Sequence, residues 1–205
     1  MIFTRTTTLT FAASCMLALA ASGCSVSTDD GSNGLEDGTV DEETAEASDE
    51  LCSPPTNYPW TQPVYSQVKT ATTIARNQIC KGYVLGTQGP NTYDCSGLAY
   101  YAYKNAGFPV SRLSAQGIYN AQKFQSGGAW GSLVGAWEKR AGDLLFYSSS
   151  CGDTTISHVS IYMGVNQDNA KPEIVQALNP SAGVILSGLN STGLCQLDVV
   201  GRVKY

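Results

Sequence analysis

The order of two hydrophobic periodicities along the chain constrains its fold more than any other feature. Between residues 64 and 124, apolar positions recur every three or four residues, the spacing that gathers side chains on one face of a helix. From residue 143 onward they alternate or run in short apolar blocks, as strands do. In the first part, Val68, Ala71, Ile74, Ala75 and Ile79 predict a helix over 64–81 that ends at Gly82. Asp94 is a good N-cap for a second helix, and Cys95, Leu98, Ala99, Ala102 and Ala106 follow on a narrow face of small side chains. Gly107 and Pro109 stop it, and a short third helix is expected over about 114–124. Strands are expected over 143–148, 158–163, 173–177, 183–187 and 197–205. In the second of these, His158, Ser160 and Tyr162 face one way and Val159, Ile161 and Met163 the other. Helices first and consecutive strands after predict an α+β domain with an antiparallel sheet.

All of these signals fall within residues 51–205. Residues 1–24 read as a secretory signal: Arg5, then an apolar run from Leu9 to Ala21 interrupted by Thr10 and Ser14, too short to span a bilayer stably. Ala21-Ser22-Gly23-Cys24 resembles a bacterial lipobox, with alanine where leucine is usual, so a lipid on Cys24 is one expectation and an ordinary secreted chain cut nearby is the other. Residues 25–50 are rich in Ser, Thr, Gly, Asp and Glu and poor in large aliphatics, a composition that cannot offset the entropy of ordering and predicts a disordered acidic tether. Ten of the seventeen acidic residues lie in it. After it, eleven basic residues stand against seven acidic ones, a net charge of +4. A mildly basic face suits an anionic surface such as a cell wall. No basic run interleaved with aromatics points to nucleic acid.

Beyond the leader the chain has five cysteines: Cys52, Cys80, Cys95, Cys151 and Cys195. An exported chain keeps disulfides, and an odd count leaves one thiol over. Cys52–Cys80 with Cys151–Cys195 is the expected pairing, which leaves Cys95. Its place at a helix start lowers a thiol pKa through the dipole and free N–H groups, and those N–H groups can hold an oxyanion. Position alone favours a buried structural cysteine or half of a disulfide. The chain's one histidine, His158, shifts the balance, because a thiol nucleophile needs a nearby proton carrier. With one histidine and no Cys-x-x-Cys, neither a metal nor another cofactor is called for.

Five segments then occur in order: Tyr83-Val84-Leu85-Gly86, Asp94-Cys95-Ser96-Gly97-Leu98, Arg112-Leu113-Ser114-Ala115-Gln116, Gly142-Asp143-Leu144-Leu145-Phe146 and His158-Val159-Ser160-Ile161-Tyr162-Met163-Gly164. Over about residues 64 to 205 the chain resembles the NlpC-type cell-wall cysteine peptidases, a compact papain-like group. The resemblance implies that Cys95 attacks a scissile carbonyl and that His158 carries the proton. A third polar residue on the next strand, often histidine, orients the imidazole; Gln176 falls there, with Asn179 as the alternative because the loop at 165–172 is longer than the family's. Tyr83 and Asp94 match positions that line the site and help hold the free amine end of a stem peptide, Ser96 is expected to offer its backbone N–H to substrate or oxyanion, and Arg112, Ser114 and Gln116 match the family's second motif. Asp94 also reads as only a helix cap, and Arg112, Ser114 and Gln116 as parts of a capped surface helix. Leu85-Gly86-Thr87 replaces the usual Trp-Gly-Gly. The implied activity is hydrolysis of peptidoglycan stem peptides at the γ-D-glutamyl–diamino acid bond by an exported, monomeric enzyme. An amidase or acyltransferase with the same Cys–His pair, and a catalytically silent wall-binding protein, are the rival readings; an enzyme is expected to have a low-pKa Cys95 that alkylates at neutral pH.

Overall fold

The computed structural model describes residues 56–63, 65–126 and 128–204 of the 205-residue chain. The leader, the acidic tether, Cys24 and Cys52 lie outside the described residues, and with them the expected Cys52–Cys80 pair. Three helices come first, α1 (Ser66–Arg76), α2 (Cys95–Asn105) and α3 (Ala115–Lys123). Two-residue strands β1 (Gly82–Tyr83) and β2 (Thr92–Tyr93) form a small parallel pair between α1 and α2 in the chain. Six further strands follow: β3 (Ser132–Gly135), β4 (Leu144–Ser148), β5 (Ile156–Val165), β6 (Pro172–Asn179), β7 (Gly183–Gly188) and β8 (Cys195–Arg202). They make one sheet in the order β3-β8-β4-β5-β6-β7, with every neighbouring pair antiparallel. The architecture is the expected α+β one.

Alternation along the strands divides the sheet into two faces. Leu144 and Phe146 of β4, Val159, Ile161 and Met163 of β5, and Val175 and Ala177 of β6 are buried together with Ala71 and Ala75 of α1, Leu98, Ala99 and Ala102 of α2 and Ile118 of α3. Leu145, Tyr147, Tyr162, Ile174 and Val200 form a separate buried cluster. Burying a leucine- or phenylalanine-sized side chain contributes about 1.5–3 kcal/mol, so the large side chains of the sheet and those such as Trp60, Trp130 and Tyr103 outside it supply more of the stabilisation than the alanines do. The alanines of α2 supply little area, but they let the helix axis lie close to β5.

Before β4, Gly142 takes φ +95°, and a Cβ there would sit 2.1 Å from Val68 Cγ1. Next to it, the buried Asp143 carboxylate accepts from the Arg140 N–H (2.7 Å) and pairs with Arg202 at the end of β8 (2.8 Å). The Gly142-Asp143 part of the fourth motif is thus a structural joint between α1, β4 and β8.

The small β1–β2 pair was not expected, and three further points differ from the structure. α1 stops at Arg76 rather than 81, because the Cys80 N–H bonds to the Val184 carbonyl and the Val184 N–H to the Lys81 carbonyl (2.9 and 2.8 Å), so pairing with β7 takes over those residues. β3 was not expected: it is four half-buried residues with no alternation to mark them. β8 ends at Arg202. Cys151 and Cys195 form the expected disulfide, with Cα atoms 5.1 Å apart.

Candidate active site

Asp94 decides where α2 begins. Its backbone is extended, and its carboxylate Oδ1 accepts from the Gly97 N–H at 2.5 Å, capping the helix so that Cys95 is the first helical residue. The preceding loop is drawn against that same turn. The Thr87 carbonyl accepts the Asp94 N–H (3.0 Å), and the Gly86 N–H donates to Asp94 Oδ2 (2.8 Å). Only glycine fits at 97, since a Cβ there would meet the Thr87 oxygen at 2.0 Å. Cys95 is a free thiol, half-buried. Burial pushes its pKa up, and the Asp94 charge adds to that; the Val159 and Ser96 backbone N–H groups and Arg112 pull it down without cancelling the rise. This corrects the expectation of a depressed pKa. The helix start is present, but desolvation of the thiolate outweighs it.

The Val159 N–H that lowers the thiol pKa belongs to the residue after His158, so β5 sets the backbone beside His158 against the Cys95 thiol. His158 is 5% exposed, and its ring stands 5.6 Å from that of Tyr147. His158 Nε2 lies 2.7 Å from Gln176 Oε1 on the adjacent strand β6. A carbonyl oxygen only accepts, so Nε2 carries the proton and Nδ1 is the basic nitrogen. Burial lowers the His158 pKa, and the Gln176 hydrogen bond partly opposes this. Tyr147, its hydroxyl 3.1 Å from Ser160 Oγ, is pushed by burial up to about 12, so it is no competing base.

The six residues matched to substrate positions fall into two groups. Tyr83 is half-buried; burial raises its pKa, and charges on Cys95 and Asp94 raise it further, so its hydroxyl lies within electrostatic range of both. Asp94, Ser96 and Arg112 are joined to one another: Arg112 Nη2 meets Asp94 Oδ2 at 2.7 Å, Arg112 Nη1 donates to Ser96 Oγ (2.8 Å), and Ser96 Oγ donates to Asp94 Oδ1 (2.9 Å). Ser114 is the N-cap of α3, accepting the Gly117 N–H at 3.1 Å. Gln116 reaches across to β5, where its Oε1 accepts the Ile156 N–H at 2.6 Å, two residues before His158. The alternative orienter, Asn179, is occupied in the β6–β7 turn, where its Oδ1 accepts from Ser181 and Ala182.

Sequence reasoning missed Ser187 and Ser191. Gln176 is fully buried, and its Nε2 donates to both hydroxyls (2.9 and 3.0 Å). Serines near a turn carry no local signal for this; only the strand order, which sets β7 beside β6, brings them there.

Comparison with known proteins gives consistent results. The model of the NlpC/P60 family matches residues 80–193. A probable endopeptidase of Corynebacterium glutamicum is 32% identical over 120 residues, covering 58% of this chain and 47% of that protein. Murein DD-endopeptidase MepH of Escherichia coli is 34% identical over 104 residues, covering 48% of this chain and 35% of its own. The chain thus spans less than half the length of these relatives. Among solved structures, the peptidoglycan hydrolase RipB of Mycobacterium tuberculosis superposes with a TM-score of 0.50 at 25% identity, covering 68% of this chain and 66% of that one. NlpC2 of Trichomonas vaginalis gives 0.54 at 21% identity over 71% and 50%, a likeness of fold alone.

Proposed function

The chain belongs to the NlpC/P60 family, and from that premise we propose that it is an exported cysteine endopeptidase that hydrolyses peptidoglycan stem peptides. The observation that carries the reading is the 2.7 Å His158–Gln176 bond on strands whose next residue, Val159, meets the Cys95 thiol. In this mechanism Cys95 Sγ attacks the scissile carbonyl while His158 Nδ1 takes the thiol proton. The tetrahedral oxyanion is held by backbone N–H groups at the start of α2, that of Ser96 among them. The C–N bond breaks as the imidazolium returns its proton to the leaving amine, leaving a thioester. Water, deprotonated by the same nitrogen, then releases the acid and the free thiol. Gln176 fixes the imidazole, and Tyr83 stands where it can meet substrate beside the thiol. The Asp94–Ser96–Arg112 network holds the first turn of α2 in place, and Gln116 holds the start of β5.

The bond we propose is the γ-D-glutamyl–diamino acid bond of the stem. A second reading is the D,D cross-link, favoured by the name of one relative, a murein DD-endopeptidase. Residues 1–24 would export the chain, with secretion or a lipid on Cys24 as its two fates, and the domain would act as a monomer on the wall. Mass spectrometry of muropeptides digested by the protein, with Cys95→Ala as control, tests all of this. New termini at diaminopimelate or lysine support the first bond, and loss of cross-linked dimers supports the second. Products released equally by the Cys95→Ala protein would refute the mechanism.

A further inference from the structure

We infer that Ser187 and Ser191 are positioning residues that set the tautomer of His158 through Gln176, a role that rests on His158 serving as the base proposed above. A primary amide is asymmetric, unlike a carboxylate. Turned over, it would present an N–H group to the imidazole and select the opposite tautomer, leaving a proton on Nδ1, the nitrogen that must accept one. Gln176 therefore needs something to fix which way its amide lies.

The two serines supply it. Hydroxyls can donate or accept, so their direction must itself be anchored. Ser191 Oγ lies 2.9 Å from the Gly188 carbonyl oxygen, which only accepts, and 2.8 Å from Ser187 Oγ. The one hydroxyl proton of Ser191 is thereby directed away from Gln176, and toward Gln176 the oxygen accepts. The group that faces it, 3.0 Å away, is then the amide nitrogen, whose second hydrogen goes to Ser187 Oγ at 2.9 Å. Oε1 is left facing His158 Nε2. Direction thus passes from a fixed backbone carbonyl at the end of β7, through two hydroxyls and one amide, to the ring on β5. Full burial of Gln176 keeps water from substituting on its own side of this chain.

If the serines merely satisfied a buried amide, removing them would lower stability and leave the tautomer unchanged. The two roles can be separated because the chain has one histidine, so the side-chain ¹⁵N spectrum of the folded protein reports one imidazole. With the ring neutral, the wild type is expected to show Nδ1 unprotonated and Nε2 protonated. Ser187→Ala/Ser191→Ala should raise the Nδ1–H tautomer from a minor to a substantial share and lower kcat about tenfold with little change in KM. Ser191→Thr, which keeps the hydroxyl, should behave as wild type. An unchanged tautomer ratio in a folded double variant overturns the inference, as does a wild type already in the Nδ1–H form. Should the double variant not fold, the comparison of Ser191→Ala with Ser191→Thr decides: a shift in the first alone supports the role, and none in either refutes it. The spectrum needs no substrate, so hydrolysis by Cys95→Ala would refute the catalytic reading without touching this result.

Discussion

Burial moves Cys95 and His158 in opposite directions, and both shifts favour the uncharged form. At neutral pH the resting pair is therefore thiol and imidazole, and the proton moves as part of the attack rather than before it. Two measurements follow from this. The acid limb of kcat/KM reports the free-enzyme base and should lie below the ordinary histidine value of 6.5, because the folded pKa is lowered. An acid limb at or above 6.5 would show that the ring is not desolvated as described. The same shift bears on stability. A histidine with a depressed folded pKa binds fewer protons when folded, so stability is lost as pH falls from the unfolded value through the folded one. Iodoacetamide at neutral pH should label Cys95 no faster than an ordinary exposed cysteine, and rapid labelling would restore the low-pKa expectation. Gln176 acts through His158, so Gln176→Ala should lower turnover roughly 10- to 1,000-fold, less than Cys95→Ala, while Gln176→His keeps substantial activity. An unchanged rate in Gln176→Ala would remove it from the mechanism.

At the scale of elements, the turn that joins the Tyr83 loop to α2 tolerates the least change. A methyl at Gly97 would overlap the Thr87 carbonyl, and that carbonyl also holds the Asp94 N–H. Backbone cannot move aside as a flexible side chain can, so the loop and the helix start must part. Gly97→Ala should cost about 1–3 kcal/mol of stability, as overpacking does. It should also lower kcat/KM at least tenfold by shifting Tyr83 away from Cys95. Urea unfolding and steady-state kinetics on the one variant read both, and a loss of neither would mean the loop is free of the helix. The start of the helix was legible in the sequence because its causes are local, an aspartate cap and a small face, whereas the close approach of Thr87 to Gly97 was not. The limits of α2 and α3 were legible for the same reason. The end of α1 was not, since Ile79 continues the helical spacing while β7 captures the backbone at Cys80 and Lys81. The candidate catalytic residues could be named from motif order. The raised pKa of Cys95 and the serines behind Gln176 could not, because desolvation and cross-strand contacts exist only once distant segments are brought together.

At the scale of the whole molecule, the disulfide divides the two halves of the candidate site. Cys151 lies in the turn between β4 and β5, and Cys195 opens β8, paired in register with Ser148 of β4. The bridge spans 44 residues, and the loop it closes contains β5, β6 and β7, hence His158, Gln176, Ser187 and Ser191. Cys95 lies outside it. The unfolded chain is therefore restrained over the half that carries the base, while the half that carries the nucleophile is held by no cross-link among the described residues and depends on the packing of α1 and α2 against each other and on β4, β5 and β6. A loop of this length corresponds to about 4 kcal/mol of unfolded-state entropy in the chain model, and measured bridges typically give 2–4 kcal/mol. Cys151→Ala/Cys195→Ala should lower the unfolding free energy by that amount. It should also steepen the urea dependence, since a chain without the cross-link exposes more surface when unfolded. Under conditions where the variant stays folded, kcat should be unchanged, because every hydrogen bond from Gly188 to His158 lies within strands and turns that the bridge does not touch. An unchanged urea midpoint would show that the loop is already restrained when unfolded, and a large fall in kcat would show that the bridge orders the site in the folded state as well.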